Sequence, residues 1–166
     1  MVTTALIRTL RDQTGAGIMD CKQALEGANG DLDKAAEALR AKGLADTAKR
    51  VGRATNEGVV EAYIHTGGRV GAIVELGCES DFVARTDEFK QMAHDLAMQV
   101  AAMSPAYLDA EDIADGDERP PAQVALLSQP FIKNSSSSVG ELVRELAAKM
   151  GENVRVIRFQ RLAVGE

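Results

Sequence analysis

A short polar stretch, Glu79-Ser80-Asp81-Phe82-Val83-Ala84-Arg85, gathers the residues best placed to do something. A carboxylate pair such as Glu79 and Asp81 can divide acid–base work between a proton donor and a base. Nothing in the sequence supplies the second half of such a site. Cys21 and Cys78 stand far apart and neither has a histidine beside it, so no zinc spacing and no thiol–imidazole pair is visible. Of the two histidines, His94 falls on a long helix just beyond Met92-Ala93 and His65 ends a strand, and both read as structural or solvent-facing. Thr66-Gly67-Gly68 lacks the Lys-Ser/Thr of a phosphate-binding loop, and no nucleophile elbow is present. The chain therefore reads as a non-enzyme needing no metal and no cofactor. What remains is Phe82, an aromatic one residue past an acid. Lying between strand and helix, it is poorly placed to join the apolar stripe that begins at Phe89, which suits an exposed interface anchor. The competing reading is a hydrophobic staple over the helix start. Met19 divides similarly between an adaptable docking residue and small-bundle core.

These residues are positioned by two kinds of element. The first 43 residues read as three short helices. One runs from about Thr4 to Gln13, with Leu6, Ile7 and Leu10 on one face. Gly15-Ala16-Gly17 breaks it. Asp20 is the expected cap of the second helix, with Gln23 in capping-box position, and Asn29-Gly30 makes the next turn. Asp31 caps the third, where Leu32, Ala35, Ala36 and Leu39 follow helical spacing, and Gly43 is the expected stop. Such a small bundle resembles a ubiquitin-associated-type unit that presents the loop around Gly15–Met19. The expected division is a three-helix bundle over 1–45, a linker over 46–56 with some helical turns, and an α+β core and dimerisation domain over 57–166.

In the second part, Val59–His65 and Arg69–Leu76 flank Thr66-Gly67-Gly68 as a β-hairpin. A helix from about Asp87 to Met103 carries Phe89, Met92, Ala93, Leu96, Ala97, Val100 and Ala101 on one stripe. Residues 106–119 read as an acidic loop, 122–128 as a short helix, and Ser135–Ser138 as a mobile low-complexity run. Ser138 and Glu141 form a capping box for a helix that Gly151 stops, and Val154–Val164 is a late strand able to join the hairpin's antiparallel sheet. The fold class is α+β: an N-terminal three-helix bundle, then a small antiparallel sheet packed by helices.

Composition narrows the class of partner. With 45% hydrophobic residues over 166 positions, a core is within reach for one ordinary domain or two small ones. The net charge of −6 falls on the second part, since residues 1–56 carry nine Lys/Arg against seven Asp/Glu. An acidic main body argues against direct nucleic-acid binding, which needs clustered positive charge. Lys49-Arg50…Arg53 is the one basic cluster and reads as solvated linker. No apolar run approaches the roughly 20 residues of a membrane span. The N-terminus lacks the pattern of a secretory signal, so a cytoplasmic protein is expected.

Two segments resemble the elongation factor Ts family. The first is the sixteen-residue run Leu10–Leu25, LRDQTGAGIMDCKQAL, which is similar to the family's N-terminal signature along its whole length. The second is Glu75–Arg85, ELGCESDFVAR, where the family usually has Asn at the place of Gly77 and Thr at that of Ser80. Gln129–Lys133 and Gly151–Phe159 are also similar to family segments, so the resemblance covers essentially the whole chain. It looks like the short form, with a single core module where many members carry two. The resemblance implies a guanine-nucleotide exchange factor that releases GDP from elongation factor Tu during polypeptide elongation. Asp81 and Phe82, flanked by Ser80 and Val83, would enter the partner's nucleotide domain, with Phe82 wedging between helices near the Mg²⁺ site. Ile18, Met19, Cys21 and Lys22 would dock on another helix of that domain. A homodimer would rebuild the missing second module. The alternative is an interaction module with the same bundle that binds a protein without exchanging nucleotide.

Overall fold

The computed structural model describes residues 2–166. Three helices open the chain: α1 (Thr4–Thr14), α2 (Ile18–Gly27) and α3 (Leu32–Ala48). Thr3 caps α1 by accepting from the Leu6 N–H, and Gly15 ends it in the left-handed conformation at φ 69°. Asp31 caps α3 through the Lys34 N–H, as expected. Leu10, Cys21, Leu25 and Ala35 make a small closed core for the bundle.

Two expectations fail in this bundle. The residue before α2 is Gly17, with no side-chain cap, and Asp20 lies inside the first turn instead. There its carboxylate pairs with Lys42 of α3 at 2.5 Å, and a negative charge near a helix N-terminus is favourable in any case. Gly43 does not stop α3, which continues through it to Ala48 and past the expected bundle boundary. Glycine serves a different need here: a Cβ at Gly43 would stand 3.1 Å from the Ala148 Cβ, so its absence lets the helix lie close against the second part.

The second part begins with β1 (Glu57–Ile64) and β2 (Val70–Cys78), followed by α4 (Asp81–Ala84) and α5 (Asp87–Met103). After a loop come α6 (Pro121–Val124), β3 (Pro130–Phe131), β4 (Asn134–Ser138), α7 (Val139–Met150) and β5 (Arg155–Ala163). The late strand joins the hairpin: the sheet order is β1-β2-β5, antiparallel throughout, with β2 central. Its inner face packs on α5 and α7 through Val74, Leu76, Val156, Phe89, Leu96, Val100, Val139 and Leu146. The Ser138–Glu141 capping box is present, and Gly151 ends α7 at φ 70°. The serine run expected to be mobile is instead strand β4, paired with β3. Two buried glutamines secure that hairpin: Gln99 accepts from the Ile132 N–H at 2.9 Å and donates to the Pro130 carbonyl at 3.1 Å and to Gln129 at 3.2 Å. Bundle and core are joined by α3 lying against α7, with an Arg40–Glu145 ion pair across the contact.

Candidate functional site

The polar stretch after β2 folds into a one-turn helix held at both ends. Ser80, extended at φ −127°, is the N-cap of α4. Asp81 and Phe82 form its outer side. Val83 and Ala84 are buried and anchor it on the core. Phe82 is 80% exposed, the most exposed large apolar side chain among the described residues. The staple reading therefore fails, because a staple would cover its ring. Asp81 faces Arg85 one turn on, with Nη2 2.8 Å from Oδ2.

Glu79 and Asp81 do not form a carboxylate pair. Glu79 accepts from the Asn153 backbone N–H at 2.6 Å and lies 3.4 Å from Arg53, while Asp81 is engaged by Arg85. The cysteines are equally unsuited to chemistry. Cys78 is fully buried and donates to the Ser80 carbonyl; burial first, and then the Glu152 charge, push its thiol up to about 11. No group of His, Cys, Asp and Glu among the described residues could hold a metal ion. His94 lies 3.2 Å from Glu61, and the Tyr63 hydroxyl lies 3.0 Å from His65. The Tyr63 and His94 rings meet edge to face, so both histidines belong to one interaction cluster.

The bundle residues divide. Ile18 and Met19, at the first turn of α2, are 57% and 64% exposed, which excludes the core reading for Met19. Lys22 is half-exposed beside Glu26 at 3.8 Å. Cys21 has no exposed surface: its side chain turns into the bundle and its thiol points to the Ala16 carbonyl. It cannot touch a partner directly, and it supports the Ile18-Met19 turn from beneath. Val83 is likewise nearly buried, a support for Phe82 rather than a contact. Of the residues expected at a contact, the exposed apolar ones are Ile18, Met19 and Phe82. No hydrogen bond or ion pair among the described residues joins α2 to α4.

Spacing alone missed the turn after α7. Glu152 accepts from the backbone N–H groups of Glu79 and Ser80, each at 3.0 Å, and from the Ser80 hydroxyl. Asn153, almost fully buried, donates from its side chain to the carbonyls of Val51 and Arg53 at 3.1 and 2.8 Å. The available signal was an acid and an amide directly after a helix-stopping glycine.

The family model for elongation factor TS matches residues 32–117. An elongation factor Ts from Carboxydothermus hydrogenoformans is 48% identical over all of this chain and 90% of its own length. Those from Syntrophomonas wolfei and Thermotoga maritima are each 45% identical, over 100% and 99% of this chain and 92% and 97% of their own. The alignments run longer than the chain itself, so these relatives carry insertions that it lacks. Likeness of this extent, with both signature segments folded as described, places the chain in the elongation factor Ts family of translation elongation factors.

Proposed function

We propose that this protein is a guanine-nucleotide exchange factor that promotes GDP release from elongation factor Tu and performs no covalent chemistry of its own. The observation that carries this reading is Phe82, a large apolar ring held in water on a turn whose other side is anchored by Val83 and Ala84. A presented aromatic of this kind suits insertion into a partner. Asp81 beside it supplies a carboxylate able to compete for donors around a phosphate and Mg²⁺ site. Ile18, Met19 and Lys22 form the second contact, on the bundle. The family membership supports the partner, and the acidic body supports the absence of direct nucleic-acid contact.

Exchange requires only that factor and nucleotide weaken each other. A nanomolar nucleotide complex corresponds to about 12 kcal/mol. Contacts made only when the phosphate site is distorted offset part of this. Linkage then makes the nucleotide weaken the factor by the same ratio, which allows turnover.

The working form is a homodimer built through the second part, whose expected division from the bundle we retain with α3 running across it. Of the apolar residues on and beside the strands, Val154 and Val156 are buried in the core and Val59 packs against it, but Ile64 and Ile73 are exposed. With Val60, Leu162 and Val164 they form an apolar outer face on the sheet. A patch of this kind is normally covered by a partner, and a second copy would restore two core modules. The cytoplasm, where translation takes place, is its site of action.

The test is release of fluorescent GDP from elongation factor Tu as this chain is titrated. Release faster than the spontaneous rate supports exchange. Binding without acceleration would make the chain an interaction module and overturn it.

A further inference from the structure

We infer that Glu152 is a positioning residue for nucleotide exchange, setting the presentation of Phe82 from a site that itself stays behind the contact surface. This rests on the reading of Asp81-Phe82 as the inserting tip. A four-residue helix has little capacity to hold itself, because nucleation fixes several residues for each hydrogen bond gained. Within α4 and its caps the backbone bonds are few and ordinary: the Ala84 N–H donates to the Ser80 carbonyl at 3.3 Å and the Arg85 N–H to the Asp81 carbonyl at 3.1 Å. Ser80 adds a weak cap, 3.5 Å from the Val83 N–H.

The stronger restraint comes from outside. One Glu152 oxygen receives two consecutive backbone N–H groups, those of Glu79 and Ser80, and the other receives the Ser80 hydroxyl. Hydrogen bonds to an ionised acceptor are about twice as strong as neutral ones. Glu79 returns the link by accepting from the Asn153 N–H. Gly151, at φ 70°, turns the chain so that both residues reach. The carboxylate therefore fixes the backbone immediately before Asp81 in the extended form from which α4 must start. A tip ordered in advance has less freedom to lose on docking, so the restraint appears as faster exchange.

The experiment is a double-mutant cycle on the full chain, read by fluorescent GDP release with melting followed in parallel. Glu152→Ala is expected to lower exchange efficiency about tenfold, the scale of one charge-assisted bond. In the Phe82→Ala background it should cause no further loss, because Glu152 acts through Phe82. Glu152→Gln, which keeps an oxygen for the two N–H groups and a donor for the Ser80 hydroxyl, should recover most of the activity. Amide exchange at Glu79 and Ser80 should accelerate in Glu152→Ala and not in Glu152→Gln. An equal loss in both backgrounds, or no loss in the native one, overturns the positioning role. Should Glu152→Ala fail to fold, Glu152→Asp, one methylene short of the two amides, carries the same cycle. A Phe82→Ala protein with undiminished exchange would instead sink the tip reading on which the inference stands.

Discussion

Phe82 and Phe89 lie on consecutive helices with opposite exposures: the first ring is 80% in water and the second is fully buried. Their alanine variants should therefore fail in opposite ways. Phe82→Ala should keep its melting temperature and lose about 30-fold or more in exchange, the size of an interface hot spot of 2 kcal/mol. Phe89→Ala should cost about 3–5 kcal/mol of stability. Melting and GDP release measured on one preparation of each variant separate the two. A Phe82→Ala protein that melts much earlier would return the ring to the core.

Asp81 is already paired with Arg85 before any partner arrives. Exposed pairs contribute little, typically below about 1 kcal/mol, so removing either residue should leave melting unchanged. Asp81→Ala should slow exchange, less than Phe82→Ala does. Arg85→Ala, which frees the carboxylate, should not slow it comparably. Equal losses for both would mean that the pair, and not the acid, is what the partner reads.

On the bundle, Met19→Ala should raise the concentration of factor needed for half-maximal exchange by about tenfold, corresponding to 1.4 kcal/mol of contact, with melting unchanged. Leu25→Ala, in the closed core of the same helix, should instead destabilise by about 2–5 kcal/mol. A Met19→Ala protein with native concentration dependence would remove the bundle from the contact.

The Cys78 thiol, pushed up to about 11 from 9.0, gives a pH dependence with a definite sign. The folded state favours the protonated thiol and the unfolded state ionises first. The stability from this group is therefore complete below about pH 9 and lost as pH rises toward about 11. Urea unfolding across that window should show a decline that Cys78→Ala lacks. Both buried cysteines should resist alkylation at pH 8 until the chain unfolds.

The outer sheet face predicts the assembly state. Native protein should scatter as twice the 17.7 kDa chain mass at micromolar concentration. Leu162→Glu, placed where the side chain is 74% exposed and no packing is lost, should scatter as a single chain without a change in melting of the isolated fold. Native protein at 17.7 kDa with full exchange would exclude the dimer as the working form.

Much of this was legible in the sequence wherever the signal is local. The α5 helix runs over the residues its stripe marks out, and the Ser138–Glu141 box and Gly151 do what their types require. Gly43 misled because a glycine that ends a helix and one that admits a neighbouring helix look the same until Ala148 is placed against it. The serine run misled because composition says nothing about a two-residue partner strand. Asp20 suits a cap by type, yet Lys42 on another helix decides its role. Around the tip, the exposed aromatic was readable from its place directly after an acid, between a strand and the helix that carries the stripe. The clamp was not: Glu152 lies 73 residues from the Glu79 amide it receives, and no periodicity connects them.

The central strand of the sheet pairs on one side with its hairpin neighbour and on the other with the last strand of the chain. During synthesis β2 therefore emerges with one edge satisfied and waits for the rest of the protein before the other closes. The residues that brace the Asp81-Phe82 turn emerge just ahead of that final strand. A chain released early, at the end of α7, would carry both signature segments, an open strand edge and an unbraced tip. The braced Asp81-Phe82 turn thus arrives together with the closing of the sheet, and a truncated product would have the family's signature segments without the geometry that presents them.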